Sequence, residues 1–210
     1  MSKFTELIQE KIPRDYFTDV ELLNLIEGSP NRRFGLVKRA IAKGELIHLR
    51  RGLYLLAPRY RRSPLNLPVL SQSIYGPSSV SLESALSMHG WIPEGVRAIT
   101  CATSKRSKVF NTPVGLFTYG HVICSPFLAG VAVEKTGDDS FFLASPWRAL
   151  ADYVTVYKKE WKGIQPLLDS LRIEEEMITK EDKSALPILH KSFHSRRVRC
   201  FLSGVMRDLK

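Results

Sequence analysis

The chain has 210 residues, 44% hydrophobic and 25% charged, the composition of an ordinary globular protein with enough apolar material for one large domain or two small cores. Lys and Arg number 31 against 21 Asp and Glu, a formal charge of +10 with a sequence pI near 9.6, which favours an anionic partner such as nucleic acid. Cys101, Cys124 and Cys200 lie far apart with no CxxC pair, and the longest apolar stretch, Val122 to Val133, is broken by Ser125, Pro126 and Gly130. These features argue against a disulfide framework, a zinc site, a signal peptide and a membrane span, and they fit a cytoplasmic protein.

Phe4, Leu7, Ile8 and Ile12 recur at helical spacing up to Pro13 and predict a first helix. Thr18 or Asp19 caps a second, whose apolar positions Val20, Leu22, Leu23, Leu25 and Ile26 run to a stop at Gly28. Ser29 with Pro30 then opens a third helix that ends at Lys43-Gly44. Its Phe34, Val37 and Ile41 form the expected inward stripe, and Arg32, Leu36, Arg39 and Lys43 the presented one.

Next comes "HLRRGLYLL", His48 to Leu56. Strands over Leu46–Leu49 and Leu53–Leu56 are joined by a tight turn at Arg50-Arg51-Gly52. Helix, helix, basic helix and hairpin is the order of a winged helix-turn-helix, with the two arginines at the wing tip. From Gly28 to Arg62 ten bases face one acid, Glu45. Double-stranded DNA is therefore the expected partner. Arg32 and Arg39 are placed to meet guanine edges and Leu36 a thymine methyl, while Arg33, Lys38 and Lys43 flank them as phosphate contacts; Arg50 and Arg51 reach phosphates or the minor groove. Tyr54 either completes the small core or stacks on a sugar.

"APRYRRSPLNLP" reads as a basic, Pro-containing linker over 59–68, separating a domain over 1–58 from one over 69–210. In the latter, Ser81 caps a short helix with Glu83 in its first turn and Gly90 as stop. Strands follow at Ala98–Ala102, as a hairpin within Val109–Tyr119, and as a pair at Gly130–Lys135 and Ser140–Leu143. Ser145 and Pro146 open another helix, strands and helices continue to about 160, and the tail over 163–210 is helical in two or three pieces. No Gly-rich phosphate loop, HExxH or GxSxG occurs, and His89, His121, His190 and His194 lack metal-ligand spacing, so no catalytic residue, cofactor or metal is expected. "HKSFHSRRVRCF", His190 to Phe201, is either a second nucleic-acid surface or a solvated helix face.

Taken in order, "AIAKGELIHLRRGLYLLAP", "SLESALSMHGW" and "LASPWRALADYV" resemble the AbiEi family, the antitoxin and transcriptional-regulator component of bacterial AbiE toxin–antitoxin systems, and "LLDSLRIEEEM" is similar to its tail. The sequence departs from the commoner pattern at Trp147, where many members carry an acid. The resemblance implies an α+β protein, a winged helix-turn-helix followed by a mixed α/β antitoxin-type domain with a helical tail. It implies repression of its own operon through paired binding at inverted repeats upstream, and a nucleotidyltransferase-like toxin, AbiEii-like, as functional counterpart without a stable complex. Glu83, Arg148 and Asp152 belong to the shared motifs and act either against the toxin or as cap and packing residues. The alternatives are a nucleic-acid-processing enzyme with a winged-helix targeting arm, a stand-alone regulator without a toxin, and a protein-interaction module.

Overall fold

The computed structural model of the protein describes every residue except Glu94 and Val96. Among the described residues it is an α+β protein of ten α-helices and two sheets. It divides into two compact units, Met1–Asn66 with Thr112–Val114, and Leu67–Asn111 with Gly115–Lys210.

The first unit runs α1 (Lys3–Lys11), β1 (Tyr16–Thr18), α2 (Asp19–Leu25), α3 (Pro30–Ala42), β2 (Leu46–Arg50) and β3 (Leu53–Leu56). Each helix begins where a side-chain oxygen accepts an otherwise orphaned backbone N–H: Ser2 for α1, Thr18 in a capping box with Glu21 for α2, and Ser29 for α3, with Pro30 in its first turn. The strands form an antiparallel sheet in the order β1-β3-β2. Central β3 is buried at all four positions, and Ile8, Phe17, Leu22, Val37, Ala40 and Leu56 are among the residues of one core cluster. Strand β1 is too short to show a period-2 pattern and was not expected from the sequence. Tyr54 belongs to this core.

Three expectations for this unit are corrected. Helix α3 is rotated from its expected setting: Val37 and Ala40 are buried and Leu36 packs against the core, whereas Phe34 is 65% exposed and Ile41 also faces out. Small Ala40 allows close helix packing, and one turn back the same face carries Leu36 and Val37 rather than Phe34. In α2, Leu22 is buried but Val20 and Leu23 are exposed. Finally, the expected linker is partly built into the unit. Pro58–Tyr60 forms a 3-10 turn with Tyr60 against the core, Arg61 Nε donates to the Leu56 carbonyl at 2.9 Å, and Arg62 pairs with Asp15.

The second unit contains α4 (Leu67–Ile74), β4 (Ser78–Val80), α5 (Leu82–Met88), β5 (Ala98–Thr103), β6 (Lys108–Thr112), β7 (Gly115–His121), β8 (Val131–Thr136), β9 (Asp139–Ala144) and α6 (Pro146–Val156), then α7 (Gln165–Leu171), α8 (Glu175–Lys180), α9 (Ala185–Ser192) and α10 (Arg196–Asp208). Its six-stranded sheet has the order β6-β7-β5-β4-β9-β8 and is mixed, with β5·β7 and β4·β9 parallel and β4·β5 and β8·β9 antiparallel. Helix α6 is buried from Pro146 through Asp152. Trp147 lies edge-on to Trp91 at 5.2 Å and donates its indole N–H to the Asp182 carbonyl at 3.0 Å, so this position is a core position here. The helical tail has four pieces rather than two or three, separated in part by left-handed Arg172 and extended Glu181. Ser81 precedes α5 but makes no side-chain cap; its hydroxyl donates instead to the buried Asp152 carboxylate at 2.7 Å, a charged and therefore stronger acceptor. Among the described residues, no helix is long and apolar enough to cross a membrane.

Candidate nucleic-acid interface

Helical spacing puts Asn31, Gly35, Lys38 and Ala42 along the line of α3 opposite its buried face. Phe34 and Ile41 border it on one side, Arg32 and Arg39 on the other. Lys38, Arg39 and Lys43 are exposed, and among the described residues their side chains make no hydrogen bond or ion pair. A lone Asn carries no charge signal, so Asn31 does not stand out in the sequence. Its signal was the spacing 31, 35, 38 and 42, which becomes legible once Val37 and Ala40 fix the buried face.

The neighbouring arginines are engaged. Arg33 Nη1 donates to the carbonyls of Ile26 at 3.2 Å and Gly28 at 2.6 Å, and Arg32 Nη1 to that of Glu27 at 3.2 Å. Carbonyls at the end of α2 lack helical partners, and these guanidinium groups supply them. Arg33 thus fixes the connection between α2 and α3, while Leu36 supports the core and does not stand on the presented line.

At the hairpin, Arg50 pairs with Leu53 and leaves Arg51-Gly52 as the turn, with Gly52 at φ +74°, a conformation costly for a residue with a Cβ. The register shifts between His48 and Arg50. Arg51 is exposed, and Arg50 Nη1 donates to its carbonyl at 2.9 Å. The turn is tied to α2: Asp19 N–H donates to the Gly52 carbonyl at 3.2 Å, and a Cβ on Gly52 would come within 3.0 Å of the Asp19 carboxylate. Burial, and then the charge and hydrogen bonding of Asp19, push the Tyr54 phenol up to about 12.

Glu45, the single acid of the basic segment, is buried and points inward. It accepts from Ser2 N–H at 2.9 Å and from the Ser2 and Thr5 hydroxyls, the latter at 2.6 Å, and these bonds hold its carboxyl below the usual range. The negative charge in this segment is therefore spent on anchoring the start of α1.

In the second unit, Arg148 and Asp152 are fully buried and paired at 2.9 Å. Arg148 Nη1 also donates to the carbonyls of Phe127 at 2.7 Å and Ala129 at 2.6 Å, and the guanidinium lies 5.3 Å from the Phe193 ring. Burial pushes the Asp152 carboxyl up, opposed by Arg148 and Ser81. Burial, and then the neighbouring Glu83 carboxylate, push the Tyr157 phenol up. These are packing contacts among side chains of this unit. His89, His121 and His190 bond to the Ala144 carbonyl, the Lys105 carbonyl and the Ser203 hydroxyl. No group of three or more His, Cys, Asp or Glu is placed to hold a metal among the described residues. No protein-family model matches the chain, and no curated protein matches it.

Proposed function

We propose that the protein is a sequence-specific DNA-binding repressor whose first unit is a winged helix-turn-helix. The observation that carries this is the unengaged Lys38 and Arg39 on α3 and Lys43 at its C-cap, in a unit of order α-β-α-α-β-β whose hairpin exposes Arg51 at its tip. In that reading α3 enters the major groove. Asn31 and Arg39 meet base edges, Asn being suited to adenine and Arg to guanine, and Lys38 and Lys43 hold phosphates. Arg32 and Arg33 act through the α2–α3 connection, and Arg50 and Arg51 reach the backbone or minor groove beside it. Following the AbiEi resemblance, paired copies occupy inverted repeats upstream of the operon, and the second unit acts as antitoxin to a nucleotidyltransferase-like toxin in the cytoplasm without chemistry of its own.

Fluorescence anisotropy with duplex DNA from upstream of the gene, against a scrambled duplex over a salt series, tests the proposal. Arg50→Ala with Arg51→Ala is expected to weaken both duplexes and lower the salt slope by about one to two units. Arg39→Ala is expected to cost about 1–3 kcal/mol, mainly on the upstream duplex. Equal wild-type affinity for the two duplexes would overturn the repressor reading.

A further inference from the structure

Residues 196, 199, 203 and 207 follow one stripe of α10, and three of them, Arg196, Arg199 and Arg207, are exposed arginines. They line a hollow of about 440 Å³ together with Lys162 and His194. A second hollow of about 540 Å³ shares Lys162, Arg196 and Cys200 with the first and adds Trp161, Arg197 and Glu160, so the two hollows adjoin at those three residues. Glu160 is paired with Arg197 at 2.7 Å and Asp208 with Arg207 at 3.2 Å. Among the described residues, the side chains of Lys162 and Arg196 have no hydrogen-bond or ion-pair partner.

The position of Lys162 is built rather than incidental. The backbone at Lys162-Gly163 lies so close to α10 that a Cβ on Gly204 would collide with it, and one on Gly163 would collide with Asp208. The Asp208 carboxylate accepts the Ile164 N–H at 3.1 Å and fixes the same segment. Two glycines and one carboxylate thus hold the Lys162 backbone against α10, where its side chain lines the same hollow as the arginine stripe. Beside it, half-buried Trp161 stacks on Tyr153 at 5.3 Å and 18°, which fixes the indole where it borders the cations.

We infer that these adjoining hollows bind single-stranded nucleic acid, with phosphates at Lys162 and Arg196, Arg199 beside them keeping its Nε on the Phe193 carbonyl at 2.7 Å, and a base against Trp161. Cations interleaved with an aromatic suit a strand that exposes both backbone and base faces. The shape discriminates as well. A duplex is read by a projecting helix or ribbon, whereas here the cations surround a concavity the size of a small-ligand site.

The test is anisotropy of a labelled oligouridylate and oligothymidylate of about 12 nucleotides, with the full chain as wild type, as Lys162→Ala/Arg196→Ala, and as Arg50→Ala/Arg51→Ala. Both groove changes are at exposed positions, and circular dichroism checks that each variant folds. The inference expects the groove variant to lose about tenfold in single-strand affinity and about two units of salt slope, with duplex binding unchanged and with the Arg50/Arg51 variant retaining single-strand binding. It also expects bound strand to quench tryptophan emission, and Trp161→Phe to abolish the quench, because Trp91 and Trp147 are buried. Absence of single-strand binding in the wild type, or a loss seen only in the Arg50/Arg51 variant, overturns the inference. A failure of duplex preference would overturn the repressor reading alone.

Discussion

Removing Asp152 isolates the electrostatics of the second unit. In Asp152→Ala the fully buried Arg148 keeps its two carbonyl acceptors but loses its counter-charge, and Ser81 loses the acceptor for its hydroxyl. Stranding a buried charge costs about 3–5 kcal/mol, a large share of the stability of a typical domain. Urea titration followed by tryptophan emission reads this unit selectively, because Trp91, Trp147 and Trp161 all lie in it. Arg148→Met is expected to behave differently with pH. The carboxyl left behind, already pushed up by burial, loses its opposing cation. A raised carboxyl pKa favours folding most below the unfolded value, and that advantage fades as pH rises through the folded value. The deficit of Arg148→Met should therefore shrink as pH falls toward about 4, the ordinary Asp value, while that of Asp152→Ala should not. A cost below about 1 kcal/mol for Asp152→Ala, the range of exposed pairs, would refute the argument from desolvation.

Glu45→Ala should destabilise the first unit by about 1–3 kcal/mol through the unpaired Ser2 and Thr5 donors, read by hydrogen exchange of α1 amides. Because the Glu45 carboxyl is lowered in the folded state, its contribution is complete above the unfolded value near 4 and disappears as pH falls through the folded value; wild type and variant should converge in acid. On α3, Val37→Ala should cost about 2 kcal/mol and Phe34→Ala less than about 0.5 kcal/mol by thermal melting, and the reverse order would restore the expected rotation of the helix.

Local chemistry was legible where a short signal decides the outcome. Ser29-Pro30 and Ser145-Pro146 each open a helix, Gly52 makes a turn, and the spacing of Phe4 and Ile8 marks the buried side of α1. What escaped the sequence depends on distant partners. Phe34 looks like a core residue until Val37 and Ala40 set the rotation of α3, and Arg33 looks like a phosphate contact until the carbonyls of Ile26 and Gly28 are seen beside it. Ser81 satisfies every rule for an N-cap, yet Asp152, 71 residues away, takes its hydroxyl.

The same internal use of charge limits how many phosphates the first unit can neutralise. Of the ten bases between Gly28 and Arg62, Arg33 and Arg61 donate to backbone carbonyls, Arg59 reaches the Lys43 carbonyl at 3.5 Å, and Arg62 is paired with Asp15. Lys38, Arg39, Lys43 and Arg51 face outward without such bonds, Arg32 commits one nitrogen to a carbonyl, and Arg50 Nη1 donates to another. Each neutralised phosphate contributes about −0.9 to the slope of log affinity against log salt. Four to six contacts give about −4 to −5 per bound copy, whereas all ten would give about −9. A salt series on the upstream duplex distinguishes these values, with Lys162→Ala/Arg196→Ala as the control that removes any share from the second unit. A slope near −9 in that control would mean that Arg33, Arg59, Arg61 and Arg62 leave their partners on binding, and the fixed α2–α3 connection described above would not survive contact with DNA.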